Sequence, residues 1–350
     1  MKLRIKHCAK KLKELNLDSF LITDPVNIAY LTGFSASDGY LLLTQDEELI
    51  YFTNFLYHEA TKKIKNWEVI VSSDRHNIFT LITKKIKILN LKRVGFEAKK
   101  LPFLEHKVIN QCLLARGADF IAAKDLVEEV RMIKSSLELS YIRKSIHISK
   151  QAFELVREIY DQEMSEKDLS IEIERFLRYK GDNETAFPPI VASGKNTVFP
   201  HHKPNNEKLT ANFALIDLGS KYYGYCADLT RMFFWGKMPL LLRKIYDTVR
   251  KAQSLSIKKI KDGIKASEVD KTAREFIDKK GWGKYFGHGL GHGVGLSVHE
   301  PPVLGPNCNQ ILKEGMVITI EPAIYLTGKF GVRLEEMVLV KSKKGEVLSG

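Results

Sequence analysis

The sequence predicts a mixed α/β (α+β) protein of two domains, a small α/β domain over residues 1–132 and a larger domain over 133–350 built around a pseudo-twofold pair of antiparallel strand pairs. Three observations carry that prediction. At 350 residues the chain is too long for one ordinary core, and its 44% of apolar residues can fill two. Up to about residue 130, helical periodicities alternate with short apolar runs. Beyond that point the chain repeats itself over about a hundred residues: two helices, a stretch containing Gly and His, then a strand pair with one carboxylate on each strand.

The opening MKLRIKHCAKKLKELNL breaks its apolar residues with a basic one every few positions, which predicts an amphipathic helix and not a signal peptide. SFLIT, GYLLLT, ELIYF, WEVIV and RVGFE follow as strands, punctuated by Asp24-Pro25 and Asp38-Gly39. Between Asp125 and Asp161 a helical pattern runs without Gly or Pro, and Ser135-Ser136 is its expected break and new N-cap. The domain boundary is placed there. Ser165 with Asp168 then starts a helix that Gly181 ends, and Ser267 to Gly281 plays the same part in the second copy. FALIDLG pairs with GYCADLTRMFFW, and MVITIEPAIYL with VRLEEMVLV.

The formal charge of +13 comes from 55 basic residues interleaved with 42 acidic ones, so a nucleic-acid partner is not expected. The runs Lys84, Lys85, Lys87 and Lys258, Lys259, Lys261 read as solvated helix faces. Cys8, Cys112, Cys226 and Cys308 have no paired spacing, which argues against a disulfide framework or zinc knuckle and for a reducing, cytoplasmic setting. No apolar run reaches the length of about 20 residues that spans a bilayer, so no membrane role is expected.

Asp217, Asp228, His292, Glu321 and Glu335 lie in short segments whose order and spacing suggest one two-metal site. Taken singly, an acid on a strand is usually solvated or ion-paired. Four carboxylates gathered together carry about −4 at neutral pH, and would repel or protonate unless two divalent cations neutralised them. In a hairpin, facing residues share a side of the sheet, so Asp217 can meet Asp228 and Glu321 can meet Glu335. This oxygen-dominated set with one imidazole suits manganese first, and cobalt, zinc or iron as alternatives, in a pair about 3.5 to 4 Å apart.

The motifs FPPIVASGKNTVFPHH (187–202), DLGSKYYGYCADLTR (217–231), FGHGLGHGVGLSVHEPP (286–302), EGMVITIEPAIY (314–325) and GVRLEE (331–336) resemble those of the pita-bread metallopeptidases, in the Xaa-Pro aminopeptidase and Xaa-Pro dipeptidase (prolidase) branch. TDPVNIAYLTGFSASDGYLLLT (23–44) resembles the creatinase-type N-terminal domain that precedes that fold. The resemblance implies a pita-bread catalytic domain in which Asp217 and Asp228 bind one metal, His292 and Glu321 the other, and Asp228 and Glu335 bridge them. It implies that Glu321 also shuttles a proton, and that His201, His288 and His299 surround the substrate to hold its carbonyl, its proline side and the tetrahedral oxyanion. Arg333 is expected to orient the carboxylates through a bidentate fork. Water on two such cations has its pKa lowered from near 16 toward about 7.

Beside these, His202 reads as a neighbour whose ring caps a loop, and Cys226 as a small buried strand residue rather than a metal thiolate. Glycines 287, 289, 291, 293 and 295 lack the lysine and strand-to-helix context of a phosphate loop, and are expected to let the backbone crowd bound substrate. Ser297 stands where many relatives carry an acid and Ala227 where many carry serine; neither is a ligand position. The expected activity is removal of the residue before proline from the N-terminus of peptides, with action on dipeptides alone as the alternative. A non-catalytic binding protein and a metal-free amidinohydrolase of the creatinase kind are further alternatives that the complete ligand set argues against. The expected partners are proline-containing peptides and a second copy of the chain in a homodimer.

Overall fold

The computed structural model describes residues 1–34, 38–62, 64, 67–72 and 78–350, which divide into two compact units, Met1–Arg131 and Met132–Gly350. Ser35, Ala36 and Ser37 of the segment 23–44 lie outside the described residues. Among the described residues, no helix is long and apolar enough to cross a membrane.

In the first unit, α1 (Lys2–Glu14) buries Ile5, Cys8, Ala9 and Leu12, the i, i+3, i+4, i+7 stripe of an amphipathic helix. There follow β1 (Ser19–Ile22), α2 (Pro25–Thr32), β2 (Tyr40–Thr44), β3 (Leu49–Asn54), α3 (His58–Thr61), β4 (Glu68–Ser72), α4 (Ile78–Ile88), β5 (Arg93–Glu97), α5 (Phe103–Leu114), β6 (Asp119–Ala123) and α6 (Leu126–Arg131). The strands form one sheet in the order β4-β3-β2-β1-β5-β6. β1, β2 and β3 are antiparallel neighbours, while the β3–β4, β1–β5 and β5–β6 pairs are parallel. Every residue of β1 and β2 is buried, which is why FLI and LLL read as unbroken apolar runs and not as an alternation. Asp24 caps α2 by accepting from the Val26 N–H at 3.0 Å, and Pro25 presets the first helical φ. The sequence reading omits β6, a partly exposed edge strand whose DFIAA shows no alternation and only a short apolar run.

In the second unit, α7 (Ser136–Ile159) and α8 (Glu166–Lys180) both open on capping boxes, Ser135 with Glu138 and Ser165 with Asp168. Leu169, Ile173 and Leu177 are fully buried at four-residue spacing on α8, each contributing about 2 kcal/mol. After them come β7 (Ile190–Ser193), β8 (Phe213–Leu218), β9 (Lys221–Tyr222), β10 (Tyr225–Cys226), β11 (Leu229–Phe234), α9 (Leu240–Lys259) and α10 (Ala266–Lys279). The chain ends with β12 (Gly291–Gly293), β13 (Glu300–Leu304), β14 (Val317–Ile320), β15 (Ala323–Leu326), β16 (Phe330–Arg333), β17 (Glu336–Val340) and β18 (Gly345–Val347). α10 begins two residues earlier than an N-cap at Ser267 predicts. Its N-cap is Lys265, with no side-chain cap bond, and Ser267 lies within the helix.

The two copies are β11-β8-β7 and β13-β12-β14-β17-β18, both wholly antiparallel. β14 and β17 join their cores. Val317, Met337 and Leu339 face the core under α7 and α8, whereas Ile318, Ile320, Val338 and Val340 face the core under α9 and α10. The second predicted strand pair is one hairpin whose ladder is interrupted, with an inner and an outer part. β14 pairs with β17 and β15 with β16, and the ladders break at Glu321-Pro322 and Leu334-Glu335. Pro322 has no N–H to continue a ladder, which is the physical reason for the break.

Candidate metal centre

The strand interruptions place the acids. Asp217 sits within β8, opposite Thr230 of β11 and Ile190 of β7. Asp228 lies between β10 and β11, Glu321 directly after β14, and Glu335 directly before β17, so three of the four acids occupy gaps between strands. His292 is on β12, at a bulge between His292 and Gly293. Donor atoms of Asp217, Asp228 and Glu335 all lie within 4.8 Å of one another, as do those of His292, Glu321 and Glu335, and those of Asp228, His292 and His299. Glu335 is common to the first two groups, and Asp228 to the first and third.

The predicted histidines fall around this cluster. The His299 ring stands edge-on to His292 with centroids 4.3 Å apart. His201 and His299 line a cavity of about 280 Å³ with Asp217 and Asp228. The His288 ring lies 5.8 Å from that of Tyr325. Its Nδ1 is 2.7 Å from the Gly289 carbonyl, which can only accept, so Nδ1 carries the proton and the buried Nε2, with no partner among the described residues, is a bare acceptor. His292 Nδ1 is likewise 3.1 Å from the Gly293 carbonyl, turning its Nε2 toward Glu321 at 3.3 Å and Asp228 at 3.5 Å.

Burial and repulsion set the titration of the acids. Burial first, then the charges of Glu335, Asp217 and Glu321, push the Asp228 carboxyl well above the usual range. Burial, with Glu321 and Asp217, does the same to Glu335, and burial raises Asp217 against the pull of Arg333. Glu321 is the exception: burial works upward on it, but His292, Arg333 and His288 outweigh that and hold it below the usual range. Burial works against a charged His292, and Glu321 overcomes it, so that ring is raised. His288 and His299 are lowered, chiefly by burial, and are neutral at pH 7.

A buried polar frame holds the cluster. Arg333 Nη2 donates to Asp217 Oδ2 at 2.6 Å, Nη1 to the Tyr325 hydroxyl at 2.7 Å and the Pro200 carbonyl at 3.1 Å, and Nε to Thr230 Oγ1 at 3.0 Å. The expected bidentate fork on one carboxylate is therefore not what forms. The guanidinium spreads over four acceptors because Thr230 and Tyr325 flank it. Thr230 Oγ1 in turn donates to Glu335 Oε2 at 2.7 Å, so one arginine fixes two acids, the second by relay. Thr319 accepts from the His292 N–H at 3.1 Å and donates to Glu321 Oε1 at 3.3 Å, tying those two candidate ligands together.

Each copy also sends an acid from its second helix to the loop that carries the histidines. Glu166 of α8, fully buried, accepts from the Ser193 N–H at 2.7 Å, Asn196 Nδ2 at 3.0 Å and the Asn205 N–H at 3.3 Å, and lies 2.6 Å from His202 Nε2. This places His202 in loop closure, next to His201 at the cavity. Asp270 of α10 accepts from the Leu290 N–H at 3.1 Å and pairs with Arg274, which donates to the Phe286 and His288 carbonyls. None of Thr230, Thr319, Tyr325, Glu166 or Asp270 is singled out by the sequence reading. An acid inside the apolar stripe of an amphipathic helix, as at Asp270 between Val269 and Ala273, is the one signal available.

One expectation is corrected and another stands. A Cβ on Gly291 would meet the Thr319 carbonyl oxygen at 2.1 Å and one on Gly293 the Pro301 carbonyl oxygen at 2.2 Å, so these glycines admit neighbouring strands and not substrate. Burial pushes the Cys226 thiol up to about 12, leaving it a buried strand residue. Ala227 is fully buried.

The donors fit a pair of divalent cations: four acids and an imidazole converge against a single buried guanidinium, and the buried Asp217 Oδ1 has no hydrogen-bond partner among the described residues. Arg333→Lys, which cannot reach four acceptors, is expected to weaken metal binding about 10–100-fold in a competition titration.

Known proteins carry the same framework. The model of metallopeptidase family M24 matches residues 140–342, and that of the creatinase/prolidase N-terminal domain matches residues 4–133. The chain is 32% identical over 343 residues to the Xaa-Pro dipeptidase of Pyrococcus furiosus, covering 97% of this chain and 95% of that protein. Its fold superposes on an Xaa-Pro dipeptidase from Bacillus anthracis with a TM-score of 0.93 at 32% identity, covering 99% of this chain and 97% of the other. It also superposes on an X-Pro aminopeptidase from Thermotoga maritima with a TM-score of 0.86 at 31% identity, covering 97% of each. Two family models that leave few residues unmatched, on a chain whose acids and histidine converge as a hydrolytic metal centre requires, place this protein in metallopeptidase family M24, with a creatinase/prolidase N-terminal domain.

Proposed function

We propose that this metallopeptidase hydrolyses the Xaa-Pro bond at the N-terminus of short peptides, with Asp217, Asp228, His292, Glu321 and Glu335 as ligands of two manganese ions. The observation that carries this is the gathering of those five donors, two of which, Asp217 and Asp228, line a cavity with Phe187, Pro188, Pro189, His201 and His299. Two divalent cations there would make water nucleophilic at neutral pH and polarise the scissile carbonyl. Glu321, the one acid of the four in the cluster held below the usual range, accepts the proton from that water and hands it to the proline nitrogen, which has no hydrogen of its own and leaves poorly without one. His201 and His299 donate to the carbonyl oxygen as it gains charge. His288, whose proton is engaged at Nδ1, offers only a lone pair at Nε2 and so accepts from the substrate instead of stabilising an oxyanion.

Longer peptides are the first expectation from the sequence. Dipeptides as the sole substrates are the second reading, supported by the name Xaa-Pro dipeptidase on relatives that match almost the whole chain. Hydrolysis of Ala-Pro beside Ala-Pro-Ala, after chelation and re-addition of manganese, separates them. The tripeptide is cleaved if the first holds, and only the dipeptide if the second does; silence on both with saturating manganese, cobalt and zinc rejects the proposal. We further propose that the boundary between residues 132 and 133 separates the two domains, and that the chain works as a cytoplasmic homodimer. A monomeric mass in light scattering at micromolar concentration would reject the dimer.

A further inference from the structure

Building on the Xaa-Pro reading, we propose that Lys203 binds the free carboxylate of an Xaa-Pro dipeptide and so sets the preference for substrate length. Lys203 is exposed and lines the same cavity as Asp217, Asp228 and His299. Among the described residues it has no acidic partner, unlike Lys208 and Lys221 nearby, which pair with Glu163 and Glu184. Its backbone is fixed although its side chain is free. His202 on one side and Asn205 two residues on are both held by the buried Glu166 carboxylate, at 2.6 and 3.3 Å, so the lysine stem leaves a pinned segment.

The cavity that Lys203 and the acids line has the size and lining of a short prolyl ligand. It measures about 280 Å³, close to the lower end, about 300 Å³, of small-ligand sites. Phe187, Pro188, Pro189, Ile190 and Pro204 give it an apolar wall against which a pyrrolidine ring loses water at no polar cost. A carboxylate following that ring is an acceptor-only group needing a cation, and the cavity supplies one lysine for it. A peptide that continues beyond proline places a neutral amide there and gains nothing from the charge.

The test compares kcat/KM for Ala-Pro and for its C-terminal amide, Ala-Pro-NH2, in manganese-loaded wild type, Lys203→Met and Lys203→Arg. The wild type is expected to favour the acid about tenfold, as suits one partly solvated charged contact. Lys203→Met is expected to bring the acid-to-amide ratio close to one, through KM for the acid and not kcat, and Lys203→Arg to restore most of it. The wild-type ratio should also shrink as salt rises from about 0.05 to about 0.5 M, which shortens the screening length from about 14 to about 4 Å. An unchanged ratio in Lys203→Met, with both compounds cleaved, overturns the role of Lys203 and leaves the Xaa-Pro reading standing. Cleavage of neither compound by the wild type overturns both.

Discussion

Glu321→Gln is expected to lower kcat on Ala-Pro at least about a thousandfold, within the range for removal of a positioned proton carrier. The substitution keeps shape and can keep the contact with Thr319 Oγ1. It cannot take a proton from water or return one to the proline nitrogen. It also removes the charge that raises His292, so the imidazole becomes easier to deprotonate as the carboxylate disappears. Those two effects separate in measurement. Single-turnover kinetics report the lost proton transfer, and elemental analysis of metal per chain reports what remains of the ligand set. A variant with full metal content and a kcat within tenfold of wild type would remove Glu321 from proton transfer.

Loading with manganese at about a thousand times its Kd is expected to stabilise the protein by about 4 kcal/mol, which for a unit of this size raises Tm by about 8–16 °C. The gain should be larger at pH 8 than at pH 5.5. Asp217, Asp228 and Glu335 have folded pKa values above those of the unfolded chain, near 4, so the metal-free fold holds their protons more tightly than the unfolded chain does. Metal-free stability therefore falls as pH rises from about 4 through the raised values. His292 acts in the same direction at higher pH: its stabilising charge is fully present below the unfolded value near 6.5 and is lost as pH rises through its raised one. Glu321 acts oppositely, but its contribution is lost only as pH falls from about 4.3 toward its lowered value, below the window measured. Cations relieve the repulsion that the acids suffer when ionised. Equal metal-induced shifts at the two pH values, read by scanning calorimetry, would mean that the acids do not share an ion-binding site.

The features legible in the sequence are those whose causes are local. Ser135 with Glu138 and Ser165 with Asp168 announce their helices because a capping box lies within four residues, and the structure contains both. The five candidate ligands stand out because acids and histidine among strand residues and glycines are costly unless something binds them. Thr230, Thr319 and Tyr325 give no such signal. They are ordinary strand residues, and only pairing across the sheet brings their hydroxyls to Arg333, Glu335 and Glu321. Pro322 carries the information that a strand must stop there, but an apolar run on both sides hides it. The edge strand β6 escapes because none of its residues is fully buried and its neighbour is chosen by the fold, not by its own pattern.

Asp217 and Asp228 come from one copy of the internal repeat, and His292, Glu321 and Glu335 from the other. Neither copy folded alone could assemble the full donor set, so occupancy of the pair reports that the halves have come together. The segment between β11 and α9 is then the place where the chain could be cut into two fragments, each with its own helices and strands. Mixed fragments would recover a two-metal stoichiometry only on association, making the ion pair a chemical latch that records complementation of a duplicated architecture.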